Sequence, residues 1–353
     1  MTVLALDGGV EHLTQQLVDV PSVSGNEGTL ADAVQEALVR VDHLAVTRDE
    51  DAVCARTQLG RPTRVVVAGH LDTVPIADNV PARRDGDRLL GCGTSDMKSG
   101  LAVMLRLAAT VAQPRHDVTW LFYDHEEVAA DKNGLGRIEQ RHPDWMAGDL
   151  AVLMEPTRGR VEAGCQGTLR ALVAVGGTRA HSARPWLGSN AIHAAGEVLR
   201  RLADYEARRV EIDGCEYREG LSAVRVEGGV AGNVIPDRCT VTVNFRFAPD
   251  RSPEQAVEHL TEVLHPFEPV VVDLAPGALP GLGAPAVADF VERTGLEPQA
   301  KYGWTDVARF TGRGVPALNY GPGDPDLAHT RDEWVDLRRV AEAERVMRQY
   351  LEH

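Results

Sequence analysis

Two hydrophobic patterns alternate through the first 154 residues of the chain. Short runs in which nearly every position is apolar occur at residues 52–57, 64–69, 118–124 and 150–154. Between them, apolar side chains recur at the spacing of one helical face in residues 10–20, 27–40 and 98–112. Strands that are apolar on both faces are typical of a parallel sheet covered by helices. The pattern therefore predicts an α/β fold, with Ser24 or Asn26 as the N-cap of the second helix.

A different pattern begins near Gly164. Apolar and polar residues alternate there, as in strands that expose one face to water. The predicted strands span 168–175, 222–227, 239–247 and 270–274, and the predicted helices span 189–208 and 253–264. This β-α-β-β-α-β order is that of the ferredoxin-like split unit. We therefore predict a discontinuous α/β domain with a mostly parallel sheet (1–166 and 276–353), interrupted by an inserted α+β domain (167–275).

Length, charge and cysteine content narrow the class of protein. A chain of 353 residues exceeds what one hydrophobic core usually serves, which favours two domains. Acidic residues outnumber basic ones by 52 to 37, a net charge of −15, so neither nucleic acid nor an anionic membrane is an expected partner. No apolar run approaches the ~18 residues of a membrane span, and the first residues lack a basic signal-peptide region. Five scattered cysteines without a C-x-x-C pair favour a reducing cytoplasm.

Histidine and acidic residues follow several of the buried strands. These residues are His70, Asp72, Glu126, Glu127 and Glu155. A sixth candidate, Asp96, comes just before the helix predicted at 98–112. Because sites in open α/β sheets form at the carboxyl ends of the strands, we expect these side chains to converge in space.

Such a cluster of carboxylates favours a bound cation, because packed like charges repel each other and promote protonation. Histidine and carboxylate ligands without a thiolate suit a hydrolytic zinc site, and they also suit cobalt or manganese. The candidates exceed the ligands of one tetrahedral ion, which favours a two-metal site. Each motif taken singly is more typical of a solvated loop. Their repetition at successive strand ends is what favours the metal site.

Five motifs and one late histidine occur in an order that matches a known family. They are H-L-D-T-V-P (70–75), G-x-G-T-S-D-M-K-S-G (91–100), D-H-E-E-V (124–128), M-E-P-T (154–157), A-H-S-A-R-P-W (180–186) and His329. They resemble the co-catalytic zinc metallopeptidase family, which includes aminoacylases, glutamate carboxypeptidases, acetylornithine deacetylases and succinyl-diaminopimelate desuccinylases. The resemblance covers essentially the whole chain. With G-N-V-I-P-D at 232–237, the sequence is most similar to the actinobacterial desuccinylases.

The resemblance implies which residues hold metal. Asp96 would bridge two zinc ions. His70 and Glu155 would complete the coordination of one ion, and Glu127 and His329 that of the other. In the family, the peptide bond that follows the bridging aspartate is cis.

Three further residues would take part in catalysis by the same resemblance. Asp72 would orient the His70 imidazole through its second nitrogen. Glu126 would be the general base that accepts a proton from water and delivers it to the leaving amine. His181, from the inserted domain of a partner subunit, would stabilise the tetrahedral oxyanion. The resemblance therefore implies a homodimer formed through the inserted domain; without it, His181 would be interpreted as an exposed histidine at a strand end.

The implied substrate is a small N-acyl amino acid, whose carboxylates need basic groups in an acidic protein. Arg246, on the polar face of the strand at 239–247, matches the family's carboxylate-binding arginine. An ordinary arginine on the sheet surface is an equal alternative for it. Further candidates are Asn233, Arg184 and Thr305. The chain departs from better-known desuccinylases at Cys165-Gln166, where those enzymes carry a pair of arginines.

We therefore expect hydrolysis of N-succinyl-L,L-diaminopimelate to succinate and L,L-diaminopimelate, a step toward lysine and peptidoglycan precursors. One alternative is another N-acyl amino acid hydrolase with the same site, such as an acetylornithine deacetylase or a dipeptidase. A second alternative is a metal-binding relative without catalytic activity.

Overall fold

A computed structural model describes residues 3–129 and 131–353 of the chain. Its helices are α1 (Val10–Val18), α2 (Gly28–Val39), α3 (Ser99–Thr110), α4 (Gly134–Arg141), α5 (Ala191–Ala203), α6 (Pro253–Leu264), α7 (Pro285–Thr294), α8 (Val307–Gly312) and α9 (Leu337–Glu352). Its strands are β1 (Ala45–Asp49), β2 (Ala52–Arg56), β3 (Arg64–His70), β4 (Arg83–Asp85), β5 (Arg88–Leu90), β6 (Asp117–Tyr123), β7 (Leu150–Leu153), β8 (Val161–Ala163), β9 (Gly167–Gly176), β10 (Ala180–His181), β11 (Arg209–Ile212), β12 (Cys215–Arg218), β13 (Gly220–Gly228), β14 (Val234–Ile235), β15 (Arg238–Phe247), β16 (Pro269–Ala275), β17 (Pro298–Ala300), β18 (Ala317–Asn319) and β19 (Trp334–Asp336). Within these described ranges, no helix is both long and apolar enough to cross a membrane.

The chain forms two compact units. The first contains the part up to Ala163, together with Gly281–Gln299 and Arg309–His353. The second contains Gly164–Pro280 and Ala300–Ala308. The domain limits that we placed at 166/167 and 275/276 remain a prediction.

The first unit is built on a large mixed sheet with the strand order β1-β2-β6-β3-β7-β18-β8-β17. Its central strands β6, β3, β7 and β18 run parallel, and β1, β2 and β8 pair antiparallel outside them. The predicted α/β architecture is confirmed. In the parallel register His70 lies beside Tyr123, and Ala68 lies beside Leu153. The segments that follow β3, β6 and β7 therefore leave the sheet at the same edge.

Helices α1, α3 and α9 pack together in the main core, and α2 packs against β1 and β2. Helix α3 approaches the end of β7 closely at Gly100, where a Cβ atom would lie 2.3 Å from the backbone oxygen of Met154. The predicted N-cap of α2 was wrong. The N-cap is Glu27, and its side chain makes no capping bond, because its carboxylate instead accepts the N–H of His125 at 3.1 Å.

The second unit contains a four-stranded sheet in the order β13-β15-β9-β16, with antiparallel neighbours throughout. Helices α5 and α6 pack against this sheet over an apolar core. This is the predicted β-α-β-β-α-β order. The prediction that helix α5 continues to residue 208 was wrong. Asp213 and Gly214 both adopt positive φ angles, 49° and 79°, as in tight hairpin turns, and this turn joins β11 to β12 in an additional hairpin.

Candidate metal centre

The carboxylate of Asp96 lies between two imidazoles. Its Oδ1 atom is 3.2 Å from Nε2 of His70, and its Oδ2 atom is 3.4 Å from Nε2 of His329. His70 ends strand β3, whereas His329 lies on a loop before β19 with a positive φ of 62°. The Asp96–Met97 peptide bond is cis, as the resemblance implied. One carboxylate thus presents each of its oxygens to a different histidine.

Glu127 lies on the His329 side of this group. Its Oε1 atom is 2.7 Å from Nε2 of His329. Among the described residues, His70, Asp96 and Glu127 each offer a ligand atom within 4.8 Å of the other two. Imidazole nitrogen and carboxylate oxygen without thiolate form a donor set that suits zinc and related divalent ions. The residues present therefore fit a metal site at the predicted sheet edge.

Asp72 is fully buried and contacts both His70 and the backbone of the two glutamates. Nδ1 of His70 donates to the backbone oxygen of Asp72 at 3.0 Å and lies 3.5 Å from the Asp72 carboxylate. This donation fixes the ring so that Nε2 faces Asp96. The Asp72 carboxylate accepts the backbone N–H of Glu126 at 3.0 Å and of Glu127 at 2.9 Å. Asp72 therefore orients both the predicted ligand histidine and the predicted pair of glutamates.

The histidines and carboxylates of the centre shift one another's pKa values. Hydrogen bonds to Asp96 and Glu127 raise the pKa of His329 to about 11. Burial alone would lower the pKa of His70, but bonds to Asp72 and Asp96 outweigh it and raise that pKa. Burial is the largest single effect on the pKa of Asp72 and acts to raise it. The bond and charge of His70, together with the bonds from Ser24 and Glu127, outweigh burial and lower that pKa to about 2. A bound cation would therefore compete with protons for both imidazoles.

Glu155 and Glu126 occupy the two neighbouring strand ends. Glu155 is buried two residues after the end of β7, and its charge contributes to raising the pKa of His70. Glu126 is half-buried after β6. The structure thus brings the predicted ligands His70, Asp96, Glu127 and His329 into direct contact, with Glu155 close enough to act on His70.

The remaining predicted residues belong to the second unit. Backbone hydrogen bonds hold His181, Arg184 and Asn233 close together. Arg184 N–H donates to the backbone oxygen of His181 at 2.8 Å, and Ser182 N–H donates to the backbone oxygen of Asn233 at 2.9 Å. All three are exposed. Arg246 is half-buried on β15 and donates through Nε to Asn244 at 3.2 Å. Thr305 is buried, and its backbone oxygen accepts the N–H of Ala308 at 3.2 Å.

Two residues that contact the centre were not among the predicted site residues, although Ser24 was predicted as a helix N-cap. Ser24 donates to Oδ2 of Asp72 at 2.6 Å, and Glu333 accepts the backbone N–H of Asp96 at 3.0 Å. Ser24 lies in a polar loop, where serine is common. Glu333 lies four residues after His329 in an acidic segment. Neither residue stands in a sequence pattern that distinguishes it from the polar residues common in exposed loops.

Comparison with known proteins identifies a family and two similar full-length relatives. The model of peptidase family M20/M25/M40 matches residues 66–353. A Mycobacterium tuberculosis protein named putative succinyl-diaminopimelate desuccinylase is 56% identical over 351 residues, 99% of each chain. A Corynebacterium glutamicum succinyl-diaminopimelate desuccinylase is 49% identical over 350 residues, 96% of this chain and 95% of the relative.

A solved structure supports the fold. The crystal structure of a tripeptidase from Staphylococcus aureus superposes with a TM-score of 0.80 at 18% identity, covering 99% of this chain and 98% of that one. At this identity the likeness concerns the fold alone. The family match and the two close relatives extend over nearly the whole sequence. The chain therefore belongs to peptidase family M20/M25/M40.

Proposed function

We propose that the protein is a metal-dependent amide hydrolase that cleaves N-succinyl-L,L-diaminopimelate to succinate and L,L-diaminopimelate. The observation that carries the reaction type is the Asp96 carboxylate, whose two oxygens each face a different histidine. The choice of substrate is supported by the two full-length relatives that are named desuccinylases.

The proposed cofactor is a pair of zinc ions, with cobalt or manganese as substitutes. Asp96 would bridge them, His70 and Glu155 would hold one ion, and Glu127 and His329 would hold the other. The contacts of Asp96 with both histidines and of Glu127 with His329 support this division. When bound, such ions lower the pKa of water and polarise a carbonyl group.

Glu126 is the proposed general base. It would accept a proton from the attacking water and transfer it to the leaving amine. Asp72 supports this role, because its carboxylate fixes the backbone of both Glu126 and Glu127. One glutamate can then bind metal while its neighbour acts on water.

Replacing each glutamate separately by glutamine distinguishes the role of Glu126 from that of Glu127. Glu126→Gln should keep the metal content of the wild type and lower kcat by about 10²–10⁴-fold. Glu127→Gln should lose metal. Metal content by atomic emission and initial rates would be measured on each variant. The control is Glu139→Gln, since Glu139 is a half-buried glutamate on α4 that pairs with Arg313 at 3.3 Å. If Glu126→Gln lost metal and Glu127→Gln kept it, Glu126 would be the metal ligand and Glu127 the general base.

A substrate panel tests the choice of amide. Wild-type enzyme would be assayed on succinyl-diaminopimelate, acetylornithine and a dipeptide. We expect the highest kcat/KM on succinyl-diaminopimelate. A preference for acetylornithine would overturn the substrate but not the reaction type. Bound zinc with no hydrolysis of any of the three compounds would favour a non-catalytic relative.

Arg246 is the proposed ligand of a substrate carboxylate, alongside Asn233, Arg184 and Thr305. Among the described residues, Arg246 makes no ion pair, and burial lowers its pKa. At the Cys165-Gln166 position, where better-known desuccinylases carry arginines, the Gln166 side chain donates to the Arg218 backbone oxygen at 2.7 Å. Arg246→Gln should raise KM more than it lowers kcat. Arg170→Gln, on the neighbouring strand and paired with Asp273 at 3.3 Å, is the matched control and should leave KM unchanged.

His181 is the proposed oxyanion donor, and it would act across a homodimer formed by the inserted domain. The N–H of Ala183 donates to its Nδ1 atom at 3.0 Å. The proton of a neutral ring is therefore on Nε2, where it can be donated to an oxyanion. Strand β13 is an edge of its sheet and exposes Val224 and Val226. An unpaired edge with exposed valines suits a second copy of the chain.

Mixed dimers test this arrangement. His181→Ala and Glu126→Gln should each be nearly inactive alone. After mixing and subunit exchange, half of the dimers would be hybrids with one complete site, which restores roughly a quarter of wild-type activity. Absence of recovery in hybrids verified by mass spectrometry would show that His181 does not act across subunits.

The proposed location is the cytoplasm. In the described part of the chain, all five cysteines are buried free thiols. This cysteine state is typical of proteins from reducing compartments.

A further inference from the structure

A buried glutamate outside the proposed ligand set holds the loop that carries Asp96. Glu333 is only 2% exposed. Its Oε1 atom accepts the backbone N–H of Ser95 at 2.7 Å and of Asp96 at 3.0 Å, and its Oε2 atom accepts that of Gly93 at 2.9 Å. Hydrogen bonds from backbone N–H groups to an ionised carboxylate are among the stronger kinds in proteins.

The backbone around Asp96 depends on such an external acceptor. Asp96 and Met97 adopt non-helical angles inside the Thr94–Lys98 turn, with φ values of −124° and −132°. Gly93 adopts a left-handed conformation with φ of 80°. The amide groups of this turn therefore do not follow a regular helical ladder. Glu333 provides the acceptor for two of them, Ser95 and Asp96, and for that of the preceding Gly93.

The same residue connects two segments that carry proposed ligands. Glu333 lies four residues after His329, and its backbone oxygen accepts the N–H of Gly91 at 3.0 Å. The Ser95 hydroxyl also donates to the backbone oxygen of Trp334 at 2.8 Å. The loop before α3 and the segment after His329 are thus joined by side-chain and backbone bonds together.

We propose that Glu333 is a positioning residue for metal binding. By fixing the backbone of Asp96, it keeps the two oxygens of that carboxylate opposite His70 and His329. The ligand that both ions would share is therefore in position before metal binds. The inference rests on the proposed two-metal centre. Because Asp96 would serve both ions, loss of the Glu333 contacts weakens both binding steps, whereas Glu155→Gln weakens one.

The test is a titration of metal-free protein with Zn²⁺ against a competing chelator. Glu333→Gln preserves size, but its amide group must turn one N–H donor toward a backbone N–H. Glu333→Asp keeps the charge on a shorter side chain. The matched control is Asp117→Asn, since Asp117 is another buried carboxylate of the first unit and accepts the N–H of Leu59 at 2.8 Å and of Arg61 at 2.9 Å.

We expect Glu333→Gln to lose about 10- to 100-fold in affinity for both ions, the range typical of residues that orient metal ligands. Glu333→Asp should recover part of that loss, and Asp117→Asn should lower the melting temperature without changing either affinity. Unchanged zinc affinities in a folded Glu333→Gln variant would overturn the inference and leave the metal centre intact. Failure of the wild type to bind Zn²⁺ would overturn the proposed function as well.

Hydrogen exchange on the wild type covers the case in which neither Glu333 variant folds. If Glu333 positions the loop, the amides of Gly93, Ser95 and Asp96 are already protected in the metal-free protein. Protection that arises only after Zn²⁺ is added would show that the metal orders the loop, and it would overturn the inference.

Discussion

Two glycines inside helices should respond in opposite ways to replacement by alanine. Gly196 lies in α5, and a Cβ atom there would meet no heavy atom within 4 Å. Gly100 lies in the first turn of α3, where a Cβ atom would come within 2.3 Å of the Met154 backbone oxygen and 2.9 Å of the Met154 Cβ. In both cases, replacing glycine by alanine favours the helical conformation by about 1 kcal/mol through intrinsic helix propensity. The surroundings therefore decide the outcome.

The magnitudes follow from the two environments. Gly196→Ala keeps the whole propensity gain, so its free energy of unfolding should rise by up to ~1 kcal/mol. At Gly100 the nearest atom belongs to the backbone and cannot rotate away, so α3 and the end of β7 must separate by roughly 1 Å to restore normal contact. Overpacking of this kind costs up to ~3 kcal/mol. After the propensity gain is subtracted, Gly100→Ala should be less stable by about 2 kcal/mol.

The assay is urea unfolding of metal-free protein followed by circular dichroism, because bound metal would add its own stabilisation. Zinc affinity would be measured in parallel. Separation at Gly100 moves the Asp96 loop away from the segment that carries Glu155, so zinc affinity should also fall in Gly100→Ala and stay constant in Gly196→Ala. A Gly100→Ala variant as stable as Gly196→Ala would refute the close packing of α3 on the end of β7.

Three further outcomes are expected. Glu219→Ala removes the buried carboxylate that pairs with Arg208 at 2.9 Å and with Arg251 at 2.8 Å. Since Arg208 keeps Asp250 as a partner at 2.6 Å, urea unfolding should show a loss of about 2 kcal/mol; no measurable loss would contradict the role of these two contacts. The folded-state pKa of Asp72 is lowered to about 2 from 3.8, so metal-free protein should lose about 2 kcal/mol as the pH falls from about 4 to about 2, and Asp72→Asn should lose less. Since the pKa of His329 is about 11, Zn²⁺ binding at pH 8 should release at least ~1 proton, measured by calorimetry in two buffers of different ionisation enthalpy; equal heats in both buffers would contradict it.

The fold was predictable to the extent that burial leaves a local pattern in the sequence. Strands β3, β6 and β7 are buried on both faces, so each reads as a continuous apolar run. Strand β15 alternates between buried and half-buried positions, which produces the polar alternation seen in its sequence. The hairpin of β11 and β12 was missed, because each of these strands has only four residues, too few to show a clear alternation of apolar and polar positions.

Long-range contacts have no comparable pattern. Glu27 caps α2 without a side-chain capping bond, and its carboxylate binds the N–H of His125, 98 residues away. Glu333 binds amides about 240 residues earlier in the chain. Which polar residue reaches a distant backbone group depends on how separate segments pack, and no local spacing encodes that choice.

The sequence by itself determined the α/β class and the split unit that follows Gly164, because strand burial is a local property. It also pointed to six candidate positions by residue type, namely His70, Asp72, Asp96, Glu126, Glu127 and Glu155. Only the tertiary structure decided that the Asp96 oxygens face His70 and His329, and that Asp72 holds the glutamate pair through its backbone. The parallel register of β3, β6 and β7 brings those strand ends to one edge. Distances of a few ångströms between such residues follow from that packing and from the buried hydrogen bonds that complete it.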